Sequence, residues 1–112
     1  MYFTKEDHDD VVVEVVNLSR ATVNEAKDFV QTLEKDLDSG YKKIVADLSA
    51  CEFIDSTFIG TLVISLKKVT SVGGDLRLVG FQPAVHTMFD LTRMYRVFET
   101  FDSKTDAINS FK

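Results

Sequence analysis

One cysteine, one proline and no tryptophan occur among the 112 residues. The lone Cys51 has no second thiol to pair with inside the chain. That excludes a disulfide-stapled scaffold and fits a reducing compartment. A single proline and five glycines exclude collagen-like and low-complexity chains. No apolar run approaches the roughly 20 residues that a membrane-spanning helix needs. The first residues, Met1-Tyr2-Phe3-Thr4-Lys5-Glu6-Asp7, lack an apolar signal core and turn acidic early. A cytoplasmic location is therefore expected. Positive charge is also scarce, with 13 Lys and Arg against 18 Asp and Glu and a net charge of −5. The adjacent basic pairs are Lys42-Lys43 and Lys67-Lys68, too little for counterion release along a phosphate backbone. Neither nucleic acid nor direct membrane insertion is expected.

What is present is an ordinary globular mix, 45% hydrophobic and 28% charged. A chain of this length buries about two-thirds of its surface on folding, enough for one core. One domain over residues 1–112 is expected. Val11-Val12-Val13-Glu14-Val15-Val16 is too short and too β-branched for a good helix and predicts a strand. A short strand near Tyr2 to Lys5 precedes it, with Asp7 to Asp10 as the turn. Thr22-Val23-Asn24-Glu25 has the form of a capping box. Val23, Ala26, Val30, Leu33 and Leu37 follow at helical spacing, and Ser39-Gly40 stops the helix. Ile44 to Leu48 reads as a buried strand.

A second helix is predicted over about Thr57 to Val72, with an apolar stripe of Ile59, Leu62, Val63, Leu66 and Val69. Gly73-Gly74 ends it, and Leu76 to Val79 is the next strand. Pro83 opens a third helix through Val85, Met88 and Phe89. Val97-Phe98 and Phe101 suggest a short strand, and Ser103 opens a last helix carrying Ala107, Ile108 and Phe111. Strands alternating with helices predict an α/β fold: a mostly parallel sheet, an antiparallel edge, and about four covering helices. Val45, Leu48, Leu62, Leu66, Leu78 and Phe89 are the expected core.

Catalytic and metal motifs are thin. His8 and His86 stand far apart with no ligand-spaced partner, so no metal site is expected. Cys51 lacks a positioned base and reads as a packed thiol. Gly73-Gly74 ends a helix rather than opening one, which excludes a phosphate loop. Asp9-Asp10 precedes its strand and Asp47 lies inside one, so a response-regulator acidic site does not assemble. No enzyme activity and no cofactor are implied.

Phe53-Ile54-Asp55-Ser56-Thr57-Phe58-Ile59-Gly60 holds the remaining signal. Asp55 or Ser56 caps the second helix. Gly60, Thr61, Ile64, Ser65 and Lys68 fall off the predicted stripe. A bulky Ile64 among small polar residues, beside an exposed cap, points to a partner-facing surface.

Here the chain resembles the STAS family, in its bacterial anti-sigma factor antagonist branch. Three blocks carry the resemblance. Ile44 to Ser49 leading into Asp55-Ser56-Thr57-Phe58-Ile59-Gly60 looks like a strand followed by the D-S-[ST]-G-[LI]-G signature. Gly73-Gly74-Asp75-Leu76-Arg77-Leu78 is the second. Pro83-Ala84-Val85 through Met88-Phe89-Asp90-Leu91, on to Met94 and Phe98, is the third. The resemblance implies partner switching. An unphosphorylated antagonist binds an anti-sigma factor that is also a serine kinase, phosphorylation separates the two, and a serine phosphatase resets the cycle. Carried over, Ser56 is the phosphoacceptor and Thr57 a secondary one. Asp55, Ser56, Thr57, Phe58, Gly60, Thr61 and Ile64 are the expected partner-binding residues.

Two departures stand out. Phe58 occupies the signature's first glycine position and is expected to cover Ser56 or reshape the docking surface. The turn Val16-Asn17-Leu18-Ser19-Arg20 lacks the usual glycine and acidic residue. A non-phosphorylated STAS scaffold, or a regulatory subunit that binds a small molecule such as a nucleotide, is the alternative reading.

Overall fold

Stiff β-branched side chains favour extended backbone, and the valine-rich run Val11–Val16 sits as an interior strand of the sheet. The computed structural model describes residues 2–112. In chain order the elements are β1 (Phe3–His8), β2 (Val11–Val16), β3 (Arg20–Ala21), α1 (Val23–Asp38), β4 (Lys43–Asp47), β5 (Phe53–Ile54) and α2 (Ser56–Ser71). Then follow β6 (Asp75–Val79), α3 (Pro83–Leu91), a 3-10 turn at Met94–Arg96, β7 (Thr100–Phe101) and α4 (Lys104–Asn109). The main sheet has five strands in the order β1-β2-β4-β6-β7. β1 pairs antiparallel with β2, and every other pairing in that sheet is parallel. The α/β class, the parallel sheet and its antiparallel edge are thus as the sequence predicts.

β1 runs three residues further than the sequence predicts. Glu6, Asp7 and His8 pair with Val13, Val12 and Val11. Ladder hydrogen bonds do not depend on side-chain polarity, and an edge strand tolerates charge. The turn is narrowed to Asp9 and Asp10, with Asp9 at φ 60°, a left-handed geometry that Asp accepts more readily than most residues.

Both faces of the sheet are covered. On one face Val12, Val16, Ile44, Ala46, Leu76 and Leu78 pack with Phe29, Leu33, Phe58, Leu62, Val69, Val85 and Phe89 from α1, α2 and α3. On the other, Val11, Val13, Val45 and Val79 lie under Ala107, with Ile108 and Phe111 beside it. Two-sided burial explains why β2 shows no apolar-polar alternation. Gly74 makes a close crossing possible: a Cβ there would stand 2.2 Å from the Lys42 carbonyl oxygen.

Three expectations change. Leu66 is only partly buried, whereas Val45, Leu48, Leu62, Leu78 and Phe89 are buried. The inward stripe of α2 is rotated toward Phe58, Leu62, Ser65 and Val69, because α2 packs against α1 as well as the sheet. Phe98 is not in a strand. Its amide donates to the Met94 carbonyl after the 3-10 turn, and its ring packs near Phe89. Finally, β3 and β5 form a second, two-stranded sheet, pairing Arg20 with Phe53 and Ala21 with Ile54. That small sheet sets the start of α1 beside the start of α2.

Leu62→Ala should cost about 2–5 kcal/mol, as lost burial plus cavity at a fully buried leucine. Leu66→Ala should cost clearly less. Urea melts of the two variants check this; equal losses would place the stripe where the sequence first suggested.

Candidate functional site

Asp55 ends β5 and opens α2. Its backbone is extended, at φ −95° and ψ 170°, as an N-cap requires. Its Oδ1 accepts the Phe58 amide at 2.8 Å, satisfying one of the free N–H groups of the first turn. Its Oδ2 accepts the Val23 amide, the first of α1, at 3.0 Å. The Asp55 amide in turn donates to the Ala21 carbonyl at 3.1 Å. Thr22 and Glu25 form the expected capping box beside it, with the Thr22 amide donating to Glu25 Oε1 at 3.0 Å. One carboxylate therefore serves two helix N-termini, joined by the β3–β5 pairing.

Ser56 and Thr57 follow at the first two helical positions, and both are exposed. At about 100° per residue, Ser56, Thr57, Gly60, Ile64 and Lys67 share one arc of the helix. Gly60 is exposed with open space where a Cβ would stand. Ile64 is 51% exposed. Arg20, from β3, lays its guanidinium 4.3 Å from the centroid of the half-exposed Phe53 ring, in the strand pair that leads into this helix start. The first turn holds no acidic side chain beyond its cap. The result is an exposed surface with free amides, a helix-end positive potential and two cations, Lys67 and Arg20.

Two expected docking residues are not at this surface. Phe58 is fully buried and its ring centroid lies 5.4 Å from that of Phe29 on α1. Two residues beyond Ser56 is about 200° around the helix, so the ring points inward and cannot cover Ser56. Thr61 is 7% exposed. Its hydroxyl donates to the Thr57 carbonyl at 3.0 Å, and the Ser65 hydroxyl to the Thr61 carbonyl at 2.8 Å. Small hydroxyls satisfied within their own helix can be buried at the packed edge. The spacing of Phe58, Leu62, Ser65 and Val69 carried this signal. The sequence reading missed Arg20, which stands in the turn already marked as unusual.

Cys51 is fully buried, and burial together with the nearby Asp47 pushes its thiol up to about 12. It is a packed, inert thiol. His8 faces Glu6 at 3.4 Å and His86 faces Asp90 at 3.9 Å, both on exposed ground. Among the described residues no group of three His, Cys, Asp or Glu side chains is placed to hold a metal.

A family model described as the STAS domain matches residues 3–107. The chain belongs to the STAS domain family. Two Thermotoga relatives carry the provisional name of anti-sigma factor antagonist. That of Thermotoga maritima is 31% identical over 105 residues, 93% of this chain and 92% of its own length. That of Thermotoga neapolitana is 38% identical over 72 residues; the chain spans 64% of that relative's length, and the match takes in 64% of this chain. A crystal structure from Thermotoga maritima under the same provisional name matches with a TM-score of 0.87 at 31% identity, covering 96% of this chain and 92% of that one. The Bacillus cell fate determinant SpoIIAA, solved in its phosphorylated form, shares the fold at 15% identity, with a TM-score of 0.73 and coverage of 98% and 99%. No helix among the described residues of this STAS domain is long and apolar enough to cross a membrane.

Asp55→Ala removes the cap of α2 and strands the Val23 amide. It should cost at least the about 0.5–2 kcal/mol of a lost cap and speed amide exchange at both Phe58 and Val23. Asp55→Asn, which keeps an acceptor oxygen, should cost less. Exchange rising at Phe58 alone would show that the bond to α1 does not hold in solution.

Proposed function

We propose that this STAS domain is a partner-switching antagonist. Unmodified, it docks on an anti-sigma factor that is also a serine kinase, through Asp55, Ser56, Thr57, Gly60 and Ile64. The kinase transfers the γ-phosphoryl group of ATP to Ser56 Oγ, leaving ADP and releasing the hydroxyl proton. A serine phosphatase hydrolyses the ester and restores the docking surface. Kinase, phosphatase and ATP share the cytoplasm, where the cycle runs. Thr57, also exposed, is the secondary acceptor. The observation that carries this reading is the exposed Ser56 hydroxyl at the first position of α2, directly after a cap that holds two helices.

The physics supports it. A phosphate on Ser56 stands at a helix N-terminus, where free amides and the helix dipole favour an anion. The fold therefore tolerates the modification. The docked partner does not, because about −1.5 to −2 charges appear on a surface that must be desolvated, next to the Asp55 carboxylate. Misplacing a buried interfacial charge costs about 2–5 kcal/mol, roughly 30- to several-thousand-fold in affinity. The names of the relatives and the phosphorylated state of a structural neighbour support the same direction.

Ser56→Ala should bind the kinase and resist the switch. Ser56→Asp should bind poorly while remaining folded, since Asp is tolerated in a first helical turn. Calorimetric titration of both variants and the wild type, with circular dichroism on each, decides. Equal affinities together with no phosphoryl transfer to the wild type would instead favour a constitutive scaffold. Ile64→Asp should weaken the same complex with little change in melting temperature. A large loss of stability would make Ile64 part of the core.

A further inference from the structure

Glu14 lies inside the valine run of β2 and is 1% exposed; Asp36, on α1, is 0% exposed. Two acids are thus packed within the seam between the β1–β2 hairpin and α1. Lys5 of β1 brings its Nζ to 2.9 Å from Asp36 Oδ1, an ion pair. Beyond that ion pair, among the described residues no hydrogen-bond donor serves Glu14 Oε2 or either Asp36 oxygen. The seam opens into a cavity of about 340 Å³ lined also by Tyr2, Phe3, Asp28 and Lys35. Lys35 makes no ion pair with either buried acid among the described residues. Two buried carboxyls therefore face one ammonium. A second buried carboxylate without counter-charge or donor is strongly unfavourable, and a proton between the two acids removes both defects.

We propose that Glu14 stays protonated in the folded domain and donates its proton to Asp36, so that a carboxylic acid–carboxylate pair clamped by Lys5 makes the stability of the fold respond to pH across neutrality. The charged groups facing Glu14 stand two against one. From α1, Asp36 opposes its ionisation, and from β1 Asp7 does the same, while Lys5 alone favours it. Tyr41 stands beside Lys5, with its ring centroid 5.8 Å from Nζ. Burial first, then Asp36, raise the Glu14 carboxyl from 4.5 to about 9.

The direction of the effect follows. Below pH 4.5 both folded and unfolded chains carry the Glu14 proton, and the contribution is fully present. Between 4.5 and about 9 only the folded chain carries it. Stability then falls as pH rises, by about tenfold in the unfolding constant per pH unit for one proton. Glu6 and Asp10, held low by Lys104 and Lys43, work in the opposite sense, but only in more acidic solution.

Two measurements test the pair. The first is a carbon-13 NMR titration of the Glu14 side-chain carboxyl in the wild-type protein. The second is urea unfolding of wild type and Glu14→Gln between about pH 5.5 and 8.5. Expected are a protonated Glu14 signal at neutral pH and a wild-type unfolding constant that rises about tenfold per unit. Glu14→Gln keeps shape and donor, so it should lose most of that slope and be the more stable protein at the alkaline end. A Glu14 signal titrating near its ordinary value, an unchanged slope in Glu14→Gln, or failure of Glu14→Gln to fold would each overturn the proposal.

Discussion

The Asp55 carboxylate accepts one backbone amide from α2 and one from α1, 32 residues earlier in the chain. The bond to α1 needs the β3–β5 pairing, which brings Arg20-Ala21 alongside Phe53-Ile54. The two helices then lie together on one sheet face, with Phe29 and Phe58 meeting between them. Remove the carboxylate and two helix starts lose a partner at once. With it in place, the first turn of α2 is fixed, and Ser56 is held outward on a rigid frame.

That frame bears on how the proposed modification at Ser56 would act. Neither the core nor the β-sheet contributes a side chain to the exposed arc of Ser56, Thr57, Gly60 and Ile64. A charge added there changes the surface potential and the desolvation cost of docking, while the packing beneath stays as it is. The large ring at Phe58 belongs to the frame. It fills the α1–α2 seam at the position where the resembled signature has glycine, which leaves the exposed arc uncovered. Arg20, resting on Phe53, adds the one cation of the small strand pair. Toward the other end of α1, Glu14 and Asp36 meet where the same helix packs on the edge hairpin.

Much of this was legible from local pattern. The capping box at Thr22, the valine strand, the helix stops at Gly40 and Gly73, and Asp55 as a cap all follow from near neighbours in sequence. So does the outward position of Ile64. The rest depends on contacts between distant segments. Two-residue strands such as Arg20-Ala21 and Phe53-Ile54 are too short to carry a period. The bond from Val23 to Asp55 is visible only once those strands pair. The resembled signature puts Phe58 at the surface, whereas its four-residue spacing to Leu62 points it inside, where the structure has it. Glu14 is the one charge in the valine run, and no local pattern marks it; burial on both faces of the sheet makes it a buried acid.

The central claim is that a phosphate on Ser56 alters a surface and leaves the fold in place. Amide proton–nitrogen NMR spectra of the domain stoichiometrically phosphorylated on Ser56, compared with unmodified protein, test it most directly. The account predicts shifts confined to the first turns of α2 and α1 and to the β3–β5 pair, with the core amides of β2, β4 and β6 unmoved. Shifts spread through those core strands would contradict it, because the switch would then act by refolding the domain.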